Sequence, residues 1–245
     1  MSGAISATAS SLSALEQRYV DITHNLSNAN TPGYKRRLSV FEAQLQSQLG
    51  PAGPGGWDGG GSIRSKLAVD FSQGTLEQTQ RPLDVALQGP GFMVIETPQG
   101  PLYTRSGCLY VNPQGQIVDA AGRVIAGRDG PLVVPNTVGE GQISFASDGT
   151  VSVAGQPIGR LNVVEFETVS RLEPVGSGCF TAPQDMPPQP AAGTTVQQFH
   201  RESSNVNIVA ELVNLITVTR MYEANANAVR SQDDQDKTLI QVAMA

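Results

Sequence analysis

The sequence predicts an α+β fold in which long N- and C-terminal helices form a coiled coil, with a central, mostly antiparallel β domain between them. All 16 prolines lie between Pro32 and Pro190, and 25 of the 26 glycines lie between Gly33 and Gly193. Because both residue types are disfavoured inside helices, the two ends of the chain are compatible with helix and the middle is rich in turns. Apolar residues recur every seven positions at both ends, and short apolar runs alternate with turn signals in the middle.

Residues 1–31 are predicted to form the N-terminal helix. Two series of residues spaced by seven run along it, and the second starts three positions after the first: Ile5, Leu12, Tyr19 and Leu26, then Thr8, Leu15, Ile22 and Ala29. This is the a/d spacing of a coiled coil, and a lone helix cannot bury such a stripe. We therefore expect Ile5, Leu12, Leu15, Tyr19, Ile22 and Leu26 to pack against other helices.

Residues 32–82 are predicted to form an extended connector. Its segment 50–61, "GPAGPGGWDGGG", has seven glycines and two prolines in twelve positions and is expected to be a flexible loop. Trp57 is the one side chain in this loop that could anchor it on a partner.

Residues 83–181 are predicted to form the β domain. Its apolar runs include "FMVI" (92–95), "CLYV" (108–111), "TVSV" (150–153) and "LNVVEFE" (161–167). Between the runs lie "NPQG" (112–115), "AAG" (120–122), "RDG" (128–130) and "SDG" (147–149), which can supply the positive φ that tight turns need. This alternation is typical of an antiparallel sandwich or barrel.

Residues 182–201 are predicted to be an extended Pro-rich linker, and residues 202–245 the C-terminal helix. Ser203, Ser204 and Asn205 can cap the start of that helix. Its predicted packing residues are spaced by seven, with an adjoining position: Ile208, Leu212, Leu215, Tyr222 and Val229. The alternative is that both helices are ordinary core helices packed on the β domain. Small residues between the apolar positions favour close contact between helices instead.

Composition excludes several classes of function. A net charge of −6 and a pI near 4.9 argue against a nucleic-acid-binding surface. No apolar segment approaches the ~20 residues needed to span a bilayer, so no membrane insertion is expected. The first residues also lack the basic region and apolar core of a cleaved signal peptide.

No catalytic, cofactor or metal site is predicted. His24 and His200 do not lie in a metal-ligand spacing or near a candidate nucleophile in the sequence. Glu165 and Glu167 share a face of one predicted strand, whereas a glycosidase needs carboxylates on both sides of a cleft. The protein is therefore expected not to be an enzyme. Cys108 and Cys179 are expected to be apolar core residues, and a disulfide between them stays open.

Four ordered blocks carry a resemblance to a known family. The first is "HNLSNANTPGYKRR" (24–37), and the others are "QGTLEQTQRPLDVALQGPGFMVI" (73–95), "YTRSGCLYVNPQGQIVDAAGRVIAG" (103–127) and "ESSNVNIVAELVNLITVTRMYEANA" (202–226). Together they resemble the bacterial flagellar axial proteins of the rod and hook. The first block is similar to that family's Asn-Asn-Leu-Ala-Asn-x-x-Thr-x-Gly-Tyr/Phe-Lys signature, with His24 and Ser27 as departures.

The helix-end signature that this resemblance assigns comprises Asn25, Asn28, Asn30, Thr31, Gly33 and Tyr34. Within the family, "PIGRLNVVEFE" (157–167) is most similar to proximal rod proteins, whereas "YKRRLSVFEAQL" (34–45) is similar to distal ones. The proximal assignment is preferred.

The resemblance implies a structural subunit that polymerises into a helical tube and transmits motor torque to the hook and filament. Its implied partners are further copies of itself, other rod and hook proteins, the flagellar type III export apparatus and the surrounding periplasmic and outer-membrane rings. The implied location is the periplasmic rod of the basal body, reached without a cleaved signal peptide. A rival function from another class is a secreted β-adhesin on a helical stalk, which would need a ligand groove and closed symmetry.

Overall fold

A computed structural model describes residues 2–44, 62–135 and 139–243; the predicted loop 50–61, with Trp57, lies outside these ranges. The chain divides into two compact units. Unit 1 comprises the described parts of Met1–Ser27, Arg37–Val69 and Asn207–Ala245, and unit 2 comprises Asn28–Arg36 and Asp70–Val206.

Unit 1 contains two helices and one hairpin. Helix α1 is Ser2–Ser27 and helix α2 is Ile208–Ala243. Strands β1 (Arg37–Gln44) and β2 (Ser62–Val69) pair antiparallel over their full lengths, within the segment predicted to be a connector. Helix α1 packs against both α2 and this hairpin. Among the described residues, neither helix has a stretch long and apolar enough to cross a bilayer.

Unit 2 contains the remaining described strands, and every pair formed by them is antiparallel. The strands are β3 (Leu76–Gln78), β4 (Val85–Gln88), β5 (Phe92–Ile95), β6 (Leu102–Thr104), β7 (Tyr110–Val111), β8 (Ile117–Val118), β9 (Ala126–Gly127), β10 (Gly130–Pro131), β11 (Ile143–Phe145), β12 (Thr150–Val153), β13 (Gln156–Arg160), β14 (Val163–Glu165), β15 (Glu173–Gly176), β16 (Cys179–Thr181), β17 (Gln189–Pro190), β18 (Thr195–Gln198) and β19 (His200–Glu202). Short 3-10 helices cover Glu140–Gln142 and Val169–Arg171.

The largest sheet has six strands in the order β15-β16-β6-β5-β14-β17, and a second sheet has the order β11-β12-β13. Strand β18 pairs with β4, and β19 pairs with β3. Phe199 separates β18 from β19 and has a φ of 61°, so the chain changes its partner strand at this residue. Three strands, β17, β18 and β19, therefore occur within or across the segment predicted to be a linker.

The core of unit 2 follows from strand alternation. In β12, Val151 and Val153 are buried, whereas Thr150 and Ser152 between them are half-buried. Other buried members of this core include Leu83, Val85, Leu87, Met93, Ile95, Leu109, Ile117 and Ile125. Two of the predicted turns close as expected, because Gly115 and Gly122 adopt φ values of 80° and 79°. The β-rich central domain is thus as predicted.

The predicted fold class is wrong about the ends of the chain. The helices differ in length, at 26 and 36 residues, and they do not form the predicted coiled coil. At the predicted seam of α2, Ile208, Leu212 and Tyr222 are exposed, whereas Glu211 and Val218 are buried. The coiled-coil prediction is wrong because apolar residues lie on more than one side of α2, so periodicity alone could not select the side that is buried in the single chain.

Candidate functional site: the helix-end signature and the exposed face of the C-terminal helix

The last turns of α1 are bonded to strand β1 by two polar side chains. Asn25 is 1% exposed, its Oδ1 accepts a hydrogen bond from the Arg37 N–H at 2.8 Å, and its Nδ2 donates to the Arg37 carbonyl at 2.9 Å. One helical turn earlier, the buried Asp21 carboxylate accepts a short hydrogen bond from the Ser39 hydroxyl. The Asn25 side chain therefore bonds both backbone groups of Arg37, as the backbone of a paired strand would.

The rest of the signature forms the turn after α1, in unit 2. The Thr31 N–H donates to the Asn28 carbonyl at 3.0 Å, and the Thr31 hydroxyl donates to Asn28 Oδ1 at 3.3 Å. Asn30 is exposed, whereas Tyr34 is 7% exposed, and its N–H donates to the Thr31 carbonyl at 3.2 Å. The turn thus satisfies its own backbone while delivering Tyr34 into a buried position.

Gly33 needs both a left-handed conformation and the absence of a side chain. Its φ is 70°, and a Cβ atom at this position would lie 2.5 Å from the Ser106 backbone nitrogen. The Gly33 N–H donates to the Glu202 carbonyl at 2.7 Å. A residue at the start of the chain is thereby held against one close to the start of α2.

Three buried charges lie beside this contact. Lys35 Nζ is 2.6 Å from Glu202 Oε1, and both side chains are fully buried. Arg105 Nη1 is 3.9 Å from Glu202 Oε2, with 3% of the Arg105 side chain exposed. Burial lowers the pKa of Lys35, and the nearby Glu202 opposes this shift. Burial likewise lowers the pKa of Arg105, again against Glu202.

Asn205 joins three segments of unit 2 through one side-chain amide. Its Oδ1 accepts from the Arg36 N–H at 2.7 Å, and its Nδ2 donates to the Asp70 carbonyl at 2.8 Å. The Asp70 N–H in turn donates to the Arg36 carbonyl at 2.8 Å. Arg36, Asp70 and Asn205 therefore form a closed set of hydrogen bonds.

Helix α2 carries a row of large apolar side chains that are exposed in the single chain. Five large apolar side chains lie on this exposed face: Ile208, Val209, Leu212, Val213 and Ile216. The last four lie one, four, five and eight residues after Ile208, which places all five in one stripe along the helix. Val209, Val213 and Ile216 are 71%, 59% and 54% exposed. Large apolar patches of this kind mark interaction surfaces.

The predicted packing residues do not share one environment. On α1, Ile22 is buried, Leu12, Leu15 and Leu26 are half-buried, and Tyr19 is exposed; the side chain of Ile5 lies outside the described residues. On α2, Leu215 and Val229 are half-buried, whereas Ile208, Leu212 and Tyr222 are exposed. Leu15 lines a groove of about 400 Å³ with Ala14 and Met221. The contacts made by these residues between subunits stay a prediction.

Each residue considered for chemistry is either exposed or in contact with a neighbouring polar group. His24 is exposed, and His200 Nδ1 lies 2.8 Å from the Gln198 carbonyl. Glu165 Oε1 accepts from the Thr194 hydroxyl at 2.8 Å, whereas Glu167 is exposed. Among the residues described, no group of three or more His, Cys, Asp or Glu is placed to hold a metal ion.

Sequence reasoning missed Arg105, Glu202 and the role of Asn205. The motifs around them carry the family resemblance, but no local pattern shows that these polar side chains contact distant segments of the chain. Lys35 begins the run of three cations "KRR" (35–37), and such a run is typical of a solvated surface, yet Lys35 is 2% exposed. The usable signal was the position of Lys35 directly after a Gly-Tyr pair that the turn buries.

Comparisons with known proteins show which family the chain is similar to. Residues 197–242 match the family model described as "Flagellar basal body rod FlgEFG protein C-terminal", and residues 86–153 match "Flagellar hook protein FlgE/F/G D1 domain". The chain is 32% identical over 244 residues to the flagellar basal-body rod protein FlgG of Buchnera aphidicola from Schizaphis graminum, covering 90% of this chain and 92% of that protein.

Other relatives give the same result. FlgG of Caulobacter vibrioides is 32% identical, over 92% of this chain and 94% of its own length. FlgF of Escherichia coli is 30% identical, over 86% of each chain. Because the identities to FlgG and FlgF are nearly equal, the preference for a proximal rod protein stays a prediction. The chain belongs to the flagellar basal-body rod and hook family that includes FlgE, FlgF and FlgG.

Proposed function

We propose that the protein is a structural, non-catalytic subunit of the flagellar basal-body rod that polymerises into a helical tube and transmits torque to the hook and filament. The observation that carries this proposal is the exposed apolar face of α2. Val209, Val213 and Ile216 leave more than half of their surface to solvent in the single chain. Burial of such side chains is worth about 1.5–3 kcal/mol each, so they favour association.

The contact surface favours an open polymer. The partner we assign to the exposed face of α2 is the helical part of a neighbouring copy, together with other rod and hook proteins. If a surface on one copy contacts a different surface on the next, the contact repeats without closing and generates a filament. The groove between α1 and α2, lined by Leu15, Arg18 and Met221, is a second apolar surface available to such a neighbour.

The finer assignments follow from membership of the rod family. We place the protein in the periplasmic part of the basal body, exported by the flagellar type III apparatus without a cleaved signal peptide. The periplasmic and outer-membrane rings are further partners in this proposal. Packing between subunits is assigned to the predicted residues of α1 and α2 together with Val209, Val213 and Ile216.

Electron microscopy of the concentrated protein tests this function. We expect the unmodified chain to form open helical polymers and Val213→Ser/Ile216→Ser to remain monomeric. The matched control is Val175→Ser in β15, where an apolar side chain that is 53% exposed lies far along the chain from the helices. Polymers that persist in the double variant, or closed rings in the unmodified protein, would contradict the proposal.

A further inference from the structure

Three charged side chains from separate parts of the sequence meet in the interior of unit 2. Lys35 follows the turn after α1, Arg105 follows β6, and Glu202 ends β19. Lys35 and Glu202 are 167 residues apart in sequence, yet their charged atoms are 2.6 Å apart. Arg105 also lies over the Phe92 ring, 5.1 Å from its centroid. The cluster is therefore part of the folded interior and not a surface ion pair.

The cluster depends on its one carboxylate. It contains two cations and one anion, and Glu202 is the largest influence that opposes the effect of burial on the pKa of both Lys35 and Arg105. Burying an unpaired charge is very unfavourable, whereas a paired one is tolerated. Without Glu202, unit 2 would enclose two cations that repel each other.

Glu202 also bonds backbone groups from both of the segments that it meets. Its Oε1 accepts from the Gly74 N–H at 2.8 Å, and its carbonyl accepts from the Gly33 N–H at 2.7 Å. Lys35 Nζ donates to the Ser72 carbonyl at 2.8 Å. One residue thus holds the segment after α1 and the segment before β3 together.

We propose that Lys35, Arg105 and Glu202 are a closure latch: unit 2 closes around its buried cations only when the segment His200–Asn205 brings Glu202 between them. Closure then depends on a residue that follows nearly all of unit 2 in the sequence, so a chain that stops before residue 202 cannot complete the unit. Buried ion pairs add little net stability over apolar packing, but removal of one partner is strongly destabilising. The importance of the latch is therefore that closure of unit 2 requires all three residues, and not that the ion pairs add net stability. This inference concerns the folding of unit 2 and is independent of the proposed rod function.

Hydrogen exchange of the full-length chain, read by mass spectrometry, tests the latch. In Glu202→Gln we expect exchange to accelerate together in peptides covering 28–36, 70–75 and 200–206, by roughly 100-fold or more. Peptides covering β5 and β14 should keep their protection. Acceleration confined to the peptide containing Gly74, which would report one lost hydrogen bond, would overturn the proposal.

The matched control is Glu77→Gln. Glu77 lies on β3 and pairs with Arg201 at 3.2 Å, but its side chain is 49% exposed, so its removal leaves no buried cation. We expect the exchange of this variant to match that of the unmodified chain. If Glu77→Gln accelerates exchange as much as Glu202→Gln does, loss of either carboxylate from the paired strands β3 and β19 is enough to cause the effect. The latch would then be rejected.

A second variant distinguishes charge balance from general damage. Lys35→Met removes one of the two cations, so in combination with Glu202→Gln it should slow exchange relative to Glu202→Gln alone. If the losses of protection caused by Lys35→Met and by Glu202→Gln simply add in the double variant, the latch is overturned. If Glu202→Gln does not fold, recovery of folded protein in the double variant supports the proposal, and continued failure to fold contradicts it.

Discussion

The Asn25 side chain bonds both backbone groups of Arg37, with its Oδ1 at 2.8 Å from the nitrogen and its Nδ2 at 2.9 Å from the oxygen. Asp21 bonds Ser39 on the same strand. Four helical residues rise about 6 Å and two strand residues about 6.8 Å, so the spacing of the two side chains matches that of their partners. This match fixes the register of β1 against α1.

Replacing Asn25 with Asp should destabilise unit 1. A carboxylate can still accept from the Arg37 N–H, but it places an oxygen against the Arg37 carbonyl where an N–H donated. We expect the free energy of unfolding to fall by about 1–3 kcal/mol. Urea unfolding followed by helical circular dichroism measures this change. The control is Asn227→Asp on exposed α2 surface; equal losses in the two variants would refute the role of the Arg37 contact.

Gly33→Ala should cost more stability than Gly122→Ala, although both glycines have φ in the left-handed region, at 70° and 79°. An alanine there costs about 1–2 kcal/mol at either position from the backbone alone. At Gly33 the new Cβ would also lie 2.5 Å from the Ser106 nitrogen, whereas at Gly122 it would meet nothing within 4 Å. Thermal unfolding of unit 2 in the two variants gives the comparison. Equal shifts would show that space around Gly33 is irrelevant.

Two valines on α2 should separate monomer stability from assembly. Val218 is 1% exposed, so Val218→Ala should lower the free energy of unfolding by about 2 kcal/mol. Val213 is 59% exposed, so Val213→Ala should change it by less than about 0.5 kcal/mol while weakening polymer formation. Urea unfolding and sedimentation measure the two effects. If Val218→Ala weakens polymer formation as much as Val213→Ala does, at equal concentrations of folded protein, then the two valines do not have separate roles in stability and assembly.

The two thiols should react slowly and in a defined order. Cys108 is half-buried and Cys179 is buried, and both are free thiols. Burial raises the pKa of each above the usual 9.0. Because the thiolate is the reactive form, a thiol-specific reagent at pH 8 should modify native protein more slowly than unfolded protein, and Cys108 before Cys179. Modification of Cys179 first would contradict this order.

The raised pKa values of these thiols should make the free energy of unfolding depend on pH. Between pH 9.0 and the raised folded pKa, the unfolded chain loses thiol protons that the folded chain retains. The thiol contribution to stability is therefore present below pH 9 and is lost as the pH rises above it. Urea unfolding at pH 8 and pH 10 should show a smaller loss in Cys108→Ala/Cys179→Ala than in the unmodified chain. An identical loss would show that the thiols do not contribute.

The β domain could be predicted because its signals are local. Asn112 and Gly115 close a turn within four residues, and the Gly115 N–H donates to the Asn112 carbonyl at 2.9 Å. The Lys35–Glu202 contact could not be predicted, since 167 residues separate its partners and no local pattern indicates that they pair. The coiled coil was wrongly predicted because the packing of α2 on α1 depends on tertiary contacts that periodicity does not describe.

The signature after α1 shows both results in one segment. Thr31 and Gly33 lie in the turn that follows α1, because turn chemistry acts over a few residues, and the role of the signature in assembly stays a prediction. The partner of Asn25 on β1 and the close approach of Gly33 to Ser106 come from tertiary structure. The sequence located the important segment but assigned only part of its contacts.

The hydrogen bond from the Ser203 N–H to the Thr75 carbonyl, at 2.9 Å, means that the chain enters and leaves the body of the β domain at neighbouring points. Residues 76–202 are therefore an insert whose length does not alter the distance between its ends. Domain insertion is tolerated at such sites. The closed set of hydrogen bonds among Arg36, Asp70 and Asn205 lies outside this insert, so a β body of another length fits the same points of attachment.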